Sequence, residues 1–172
     1  MKALTVTALL CAVMALTIAA ALAEEQPGQE PTERHLVKRS TYCCYGWTPF
    51  NGRCFRYNPK AMSWTAAEKS CQAVGGNLAS VHNIHEYHAI QYLIMKDSHQ
   101  NKPTWIGGSD AQEEKKWLWS DGSAFDYILW SAGEPNNSRG RQHCLRMNHG
   151  GDRAWDDVEC RVKAPSICAK KT

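Results

Sequence analysis

Beyond residue 23 the sequence contains no apolar run long enough to cross a membrane, and it contains no block of lysine and arginine. The formal net charge of +3 is dispersed over 172 residues, so the sequence gives no indication of a nucleic-acid partner. The cysteines lack the paired C-x-x-C spacing of structural zinc modules. No internal repeat is visible, and a chain of this length is typical of one folded domain.

The first 39 residues are predicted to lie outside that domain. Lys2, the apolar run of residues 3–20 and the small residues around Ala23 are typical of a secretory signal peptide, residues 1–23. A membrane anchor is the alternative, but the run is short for a span and no stop-transfer charges follow it. Residues 24–39 are polar and end in Lys38-Arg39, so they are interpreted as a disordered tail or as a propeptide removed at that point. The folded domain is predicted to span residues 40–172 and to be secreted and extracellular.

Seven cysteines remain once Cys11 has left with the signal peptide: Cys43, Cys44, Cys54, Cys71, Cys144, Cys160 and Cys168. A secreted domain with this many cysteines is expected to carry disulfides, although the sequence alone does not fix their pairing. Because seven is odd, one thiol is left over, either for a bond to another chain or as a free thiol.

Two helices are predicted in the first half of the domain. Residues 63–74 begin with the N-cap candidate Ser63 and stop at Gly75-Gly76, and Thr65 with Glu68 offers an alternative capping box. Residues 83–96 begin with Asn83 and its capping-box partner Glu86. Apolar residues recur at helical spacing in both segments: Trp64, Ala67, Cys71 and Val74 in the first, and Tyr87, Ile90, Leu93 and Ile94 in the second.

The remaining segments indicate an antiparallel sheet. Asn51-Gly52 predicts a hairpin turn near the start. After Pro103, short aromatic segments alternate with Gly, Ser, Asp and Asn, and alternation predicts that Trp117 and Trp119 share a buried face. Helices followed by such strands define an α+β domain. Residues 124–141 form a long loop without regular structure, where function is expected. Trp130 could instead join Trp117 and Trp119 as a sugar-stacking surface, but such residues more often belong to the core.

One ordered set of motifs runs through the whole domain: Cys43-x-x-Gly46-Trp47, Cys54-Phe55, Ser63-Trp64 with Cys71, Trp105-Ile106-Gly107-Gly108, Glu134-Pro135-Asn136, Cys144, Trp155-Asp156-Asp157, Cys160 and Cys168. In this order and spacing the set resembles the C-type lectin-like domain family over residues 43–168. The short secreted form is similar to fish lectins, type II antifreeze proteins and venom lectins that bind galactose or mannose.

The resemblance implies three disulfides: Cys43 with Cys54, Cys71 with Cys168, and Cys144 with Cys160. Cys44, which stands where many relatives have proline, then remains as the odd thiol. We expect it to link two chains into a homodimer, with a capped or buried free thiol as the alternative.

The resemblance also implies a calcium site that binds sugar. Its ligands would be Glu134, Asn136, Gln142, Asp156 and Asp157, all oxygen donors of the kind that calcium takes. In the family the Glu-Pro bond is cis and turns the flanking side-chain carbonyls toward the metal. The first four of these residues would also bind two adjacent sugar hydroxyls, which makes sugar binding dependent on calcium.

Two of these residues depart from the family pattern. Gln142 stands where sugar-binding relatives usually have Glu, and Asp156 stands where they usually have Asn. Together the changes exchange one amide and one carboxylate, so the formal charge at the metal is unchanged and calcium binding is expected to survive. In the family Glu-Pro-Asn accompanies mannose-type sugars, which we rank first. Because Gln142 and Asp156 carry their amide and carboxylate in reversed order, galactose-type sugars remain the alternative.

A second calcium position of some relatives is expected to be absent, because Asn137 and His143 replace acidic ligands there. Asn136-Asn137-Ser138 is also a glycosylation sequon, and a glycan on Asn136 would remove a ligand of the sugar site. We expect no modification at this position in a tight metal loop.

Other functional classes remain as alternatives. His85-Glu86-Tyr87-His88 is one residue short of the zinc-protease helix motif, and Glu134 with Asp157 suits a metal site better than a hydrolytic pair, so an enzyme is not expected. A fold retained without sugar binding, as an ice-binding protein or as a venom-type protein that binds a receptor, is the main rival to a lectin.

Overall fold

The computed structural model describes residues 43–172. The predicted signal peptide, tail and Lys38-Arg39 processing point lie outside these residues. Within the described part, no helix is long and apolar enough to cross a membrane. The architecture is α+β, as predicted, with two helices that precede most of the sheet.

The elements follow one another in a simple order. The first half contains β1 (Thr48–Phe50), β2 (Arg53–Met62), α1 (Trp64–Gln72), β3 (Asn77–Leu78) and α2 (Ile84–Ser98). The second half contains β4 (Thr104–Ser109), β5 (Leu118–Trp119), a short 3₁₀ helix (Ser138–Gly140), β6 (Cys144–His149), β7 (Ala154–Val158) and β8 (Ala164–Lys171).

The predicted turn joins β1 to β2. Asn51 and Gly52 both have positive φ, 47° and 73°, as a two-residue hairpin loop of type I′ requires. Pairing of Phe50 with Arg53 closes the hairpin directly at this turn. The local chemistry of two residues therefore decides where the chain reverses.

Helix α1 begins as predicted but is shorter than expected. The Ser63 side chain accepts a hydrogen bond from the Ala66 N–H and caps the helix. The alternative capping box does not form, because the Glu68 carboxylate is buried and accepts hydrogen bonds from neighbours outside the helix, among them the Leu78 N–H at 2.8 Å. Regular helix ends at Gln72, so Val74, which its spacing placed in the predicted helix, lies beyond the helix and is exposed.

Helix α2 carries the predicted buried stripe and only half of the predicted capping box. The Asn83 side chain accepts from the Glu86 N–H at 2.9 Å. The Glu86 carboxylate does not bond back to Asn83: it accepts from the His82 N–H at 2.9 Å and pairs with Arg53 of β2 at 3.1 Å. All four predicted apolar residues of the stripe are buried: Tyr87, Ile90, Leu93 and Ile94.

The sheet places the two chain halves in one layer, with the strand order β1-β2-β8-β4-β6-β7. Strand β8 pairs antiparallel with β2 and parallel with β4, while β3 pairs with β8 and β5 with β4. Strands β4, β6 and β7 are antiparallel neighbours. The long loop lies between β5 and β6 in the chain and is hydrogen-bonded to β7, and the candidate site lies in this loop.

The core consists of two adjoining clusters that cover this sheet. The stripe of α2 packs against Ile106, Leu145 and Met147 of the central strands, and all three are fully buried. Apolar burial of this kind contributes about 25 cal/mol per Å² of surface removed from water. The smaller cluster surrounds α1 and contains buried Trp105.

The three implied disulfides are all present: Cys43–Cys54, Cys71–Cys168 and Cys144–Cys160. The second joins α1 to β8 across 97 residues of sequence, and a native disulfide in a small domain typically contributes about 2–5 kcal/mol. Cys44 is an exposed thiol without a disulfide partner in the described chain.

Candidate functional site

The long loop is held to β7 at its base. Trp130 forms an isolated parallel bridge with Trp155, and the Ser131 N–H donates to the Trp155 carbonyl at 2.8 Å. The Glu134 N–H then donates to the Ser131 carbonyl at 2.9 Å. Because Asp157 lies two residues beyond Trp155 on the same strand, this anchoring brings the loop residue Glu134 beside it.

The tip of the loop is fastened by the buried carboxylate of Asp157. Its two oxygens accept hydrogen bonds from the N–H groups of Asn136 at 2.9 Å and Asn137 at 2.7 Å. The Asn136 amide in turn donates to Glu134 Oε1 at 2.8 Å. The intervening Glu134–Pro135 bond is cis, as the family resemblance implied. Glu134, Asn136 and Asp157 are thus gathered at one place.

Gln142 joins the same group from the far side of the loop. Its side-chain Oε1 accepts from the Ser138 N–H at 2.5 Å, and that N–H also donates to the side-chain Oδ1 of Asn136 at 2.9 Å. The Gln142 N–H donates to the Asn137 side chain at 2.9 Å. The side-chain oxygens of Gln142 and Asn136 therefore share one donor, and four of the five predicted ligands lie together.

The carboxylates of Glu134 and Asp157 are not compensated by a basic side chain of the described residues. Burial raises the pKa of Glu134, and a hydrogen bond with Asp157 and the charges of Asp157 and Asp156 raise it further. Neither Glu134 nor Asp157 takes part in any ion pair among residues 43–172. Two adjacent carboxylates without a basic partner are the arrangement that a bound cation stabilises.

Asp156 makes no hydrogen bond to the other four predicted ligands and has partners of its own. Its carboxylate is buried and pairs with Arg146 of β6 at 2.7 Å, and its Oδ2 also lies 3.0 Å from His149 Nδ1. These partners were missed by sequence reasoning. Arg146 lies directly opposite Asp156 because of the register in which β6 and β7 pair. This register cannot be read from the sequence of either strand alone.

Three tryptophans near the loop belong to the main core or pack against it. Trp119 is buried, while Trp117 and Trp130 are partly buried and pack against the main core. Trp130 and Trp119 both contact the ring of Trp155, with centroids 5.9 and 5.8 Å apart. The interpretation of Trp119 as a core residue is confirmed, while Trp117 and Trp130 lie at the edge of the core.

A cavity of about 580 Å³ lies elsewhere in the domain and is not lined by the loop. The polar side chains that line it are hydrogen-bonded to one another. Arg53 donates to Ser80 Oγ at 2.8 Å, and Ser80 Oγ donates to Asp121 at 2.5 Å. His82 also lies in this network, 3.1 Å from Ser80. We therefore place the candidate site at the loop, where Glu134 and Asp157 have no basic ion-pair partner in the described chain, and not in this cavity.

The fold and the loop define a disulfide-stapled α+β binding domain, and comparison with known proteins agrees. Residues 60–170 match the family described as Lectin C-type domain. Ladderlectin of Oncorhynchus mykiss is 39% identical over 180 residues, covering 99% of this chain and 95% of that protein. The chain belongs to the C-type lectin family.

Two further relatives show how the family varies. Galactose-specific lectin nattectin of Thalassophryne nattereri is 43% identical over 137 residues, covering 79% of this chain and 86% of that protein. The solved structure of herring type II antifreeze protein is 38% identical with a TM-score of 0.71, covering 76% of this chain and 99% of that one. The same fold thus occurs in relatives named for sugar binding and for antifreeze activity.

Proposed function

We propose that this protein is a secreted, calcium-dependent lectin that binds carbohydrate through the Glu134-Pro135-Asn136 loop and is not an enzyme. The observation that carries the proposal is the pair of adjacent carboxylates, Glu134 and Asp157, that has no ion-pair partner in the described chain while two amide side chains lie beside it. A cation bound there would compensate the negative charge. The three disulfides support an extracellular location.

The donor set fits calcium. Calcium takes six to eight oxygens from carboxylates, amides, carbonyls and water. Glu134, Asn136, Gln142 and Asp157 would hold the ion, and Asp156 would join them as a fifth residue on leaving its ion pair with Arg146. Bound calcium supplies a positive centre for sugar hydroxyls, and the loop's own residues position those hydroxyls. The amides of Asn136 and Gln142 donate hydrogen bonds to them, and the carboxylates accept.

For the class of sugar we propose a mannose-type arrangement of hydroxyls first, because the loop reads Glu-Pro-Asn. A galactose-type arrangement is the second candidate, and two observations favour it. Gln142 and Asp156 carry their amide and carboxylate in the order opposite to the family's usual one. A relative that is 43% identical is named as galactose-specific.

Retention on mannose and galactose resins, each with calcium and with a chelator, tests the proposal. We expect the wild-type protein to be retained on one resin in calcium and released by the chelator or by free sugar. Asp157→Ala should not be retained, since it removes a ligand and the bonds that fasten the loop. Glu113→Gln, which removes an exposed carboxylate bonded to Lys116, should behave as wild type. Retention of Asp157→Ala, or retention unaffected by chelator, would refute the proposal.

Ice binding is the second candidate function, supported by the similarity to herring type II antifreeze protein. An ice binder would show thermal hysteresis and no sugar-dependent elution from either resin. A venom-type protein that binds a receptor by surface contacts would show neither behaviour. The resin and hysteresis measurements therefore separate all three functions.

A further inference from the structure

A second cluster of metal-ligating side chains lies at the end of β4 and the start of β6. The two strands are antiparallel with Ser109 opposite Cys144, so the next residues outward, Asp110 and His143, face each other. The His143 carbonyl accepts from the Asp110 N–H at 3.2 Å and from Ser109 Oγ at 2.7 Å. Sheet register therefore fixes the spacing of these two side chains.

A tight turn brings a third ligand to the same point. The Glu113 N–H donates to the Asp110 carbonyl at 3.1 Å, and the Lys115 N–H donates to Asp110 Oδ2 at 2.9 Å. Glu114, between these two donors, is thereby directed back toward β6. Its Oε2 lies 3.5 Å from His143 Nδ1.

The three donor atoms are close enough to share one ion. His143 Nδ1 lies 3.1 Å from Asp110 Oδ1, and the donor atoms of Asp110, Glu114 and His143 all lie within 4.8 Å of one another. Tetrahedral zinc with bonds of about 2.0–2.2 Å separates its ligands by roughly 3.3–3.6 Å. The observed separations need only small adjustments to reach that geometry.

The charge of Asp110 supplies an independent indication. Its side chain is 3% exposed, yet among the ion pairs of residues 43–172 its only partner is the imidazole of His143. No lysine or arginine compensates it there. A buried carboxylate normally has a paired charge or coordinates a metal.

We propose that Asp110, Glu114 and His143 bind a borderline transition metal, zinc. This site is distinct from the calcium site of the sugar loop. An imidazole and two carboxylates suit zinc, copper or nickel, whereas calcium prefers oxygen donors only and more of them. Three protein ligands with a remaining position for water match the pattern of open zinc sites. His143, which argues against a second calcium ion, is the residue that redirects the site to zinc.

The site adjoins the sugar loop through one residue. The Asn137 amide donates to Glu114 Oε2 at 2.7 Å, while its N–H donates to Asp157. Zinc at this cluster does not require the lectin proposal to hold, because Glu134 contributes nothing to the three donors. The two metals can therefore be tested separately in the same protein.

Calorimetric titration of the mature protein with zinc chloride, and separately with calcium chloride, tests the proposal. Each variant is made in a Cys44→Ser background so that the exposed thiol cannot bind zinc. We expect one zinc per chain, with affinity at least tenfold lower in His143→Ala and in the isosteric Glu114→Gln. His88→Ala, an imidazole elsewhere on α2, and Glu134→Gln should bind zinc as the parent does. Glu134→Gln should lose calcium.

His143→Asp provides the opposite change. It should weaken zinc binding at least tenfold and increase the calcium stoichiometry, since the cluster then offers oxygen donors only. Circular dichroism with and without metal confirms that the variants are folded. Absence of zinc binding by the parent, or zinc affinity unchanged in both His143→Ala and Glu114→Gln, would overturn the proposal whatever the outcome of the sugar experiments.

Discussion

Arg146 and Asp156 face each other across β6 and β7 and form a two-point ion pair, with Nη2–Oδ2 at 2.7 Å and Nε–Oδ1 at 3.3 Å. Such paired hydrogen bonds to a carboxylate are stronger than single ones. The carboxylate that the family resemblance assigns to calcium is thus compensated by the protein itself.

Replacing Arg146 should strengthen calcium binding. In Arg146→Met the positive charge beside Asp156 is lost and the carboxylate becomes available to the metal, so we expect affinity to rise severalfold, roughly 1 kcal/mol. Stability without calcium should fall, because the buried Asp156 loses its strongest partner. Calorimetric titration measures the first effect. Arg161→Met, which removes an exposed arginine paired with Glu159, is the control, and weaker calcium binding in Arg146→Met would contradict the prediction.

Glu68 should be among the most important polar residues for stability. Its buried carboxylate accepts from Asn77, Leu78 N–H and Ser120 at 2.6, 2.8 and 2.9 Å, and so ties α1 to β3 and to the turn after β5. Glu68→Ala leaves these donors without an acceptor, and we expect the free energy of unfolding to fall by roughly 3 kcal/mol. Urea denaturation with the disulfides intact measures it. Glu113→Ala should change stability by less than about 0.5 kcal/mol.

Asp121 should contribute stability that disappears in acid. Burial raises its pKa, but hydrogen bonds from Ser123 and Ser80 and the charge of Arg53 outweigh burial, so the pKa is lowered below 3.8. A carboxyl with a lowered folded-state pKa stabilises the fold above its unfolded pKa and loses that contribution as pH falls through the folded value. Asp121→Asn should therefore lower Tm at pH 6 and should approach wild type well below pH 3.8. An equal difference in Tm at both pH values, measured by calorimetry, would contradict this prediction.

Cys44 should link two chains. The three disulfides use the other six cysteines of residues 43–172 and leave this exposed thiol, which in an oxidising compartment favours a bond to a second copy. Non-reducing electrophoresis of the mature protein should show a dimer that reduction converts to monomer. Cys44→Ser should run as a monomer in both conditions. A wild-type band at monomer size without reductant would refute the dimer.

Asn136 should carry no glycan, although it begins a sequon. Its amide nitrogen donates to Glu134 and its backbone N–H to Asp157, so the side chain belongs to the metal loop. Mass spectrometry before and after enzymatic deglycosylation should give the same mass for this peptide. A glycan on Asn136 would contradict the lectin proposal, because the modified amide could not serve as a ligand.

The sequence by itself determined the features that depend on neighbours in the chain. Ser63 and Asn83 cap their helices because a short polar side chain reaches an N–H three residues ahead. Asn51-Gly52 turns the hairpin because these residues tolerate positive φ. The apolar stripe of α2 follows from helical periodicity. Recognition of the motif order supplied the disulfide pairing and the residues of the loop.

Only the tertiary structure decided which polar groups pair with which. Glu86 contacts Arg53 of a distant strand instead of closing its own capping box, and Asp156 contacts Arg146 across two strands. His143 and Asp110 meet because Ser109 pairs with Cys144, 35 positions away in sequence. Such partners are fixed by sheet register and loop closure, which depend on the packing of the whole domain. For this reason the sequence could name the oxygen donors of the site but not the charges that surround them.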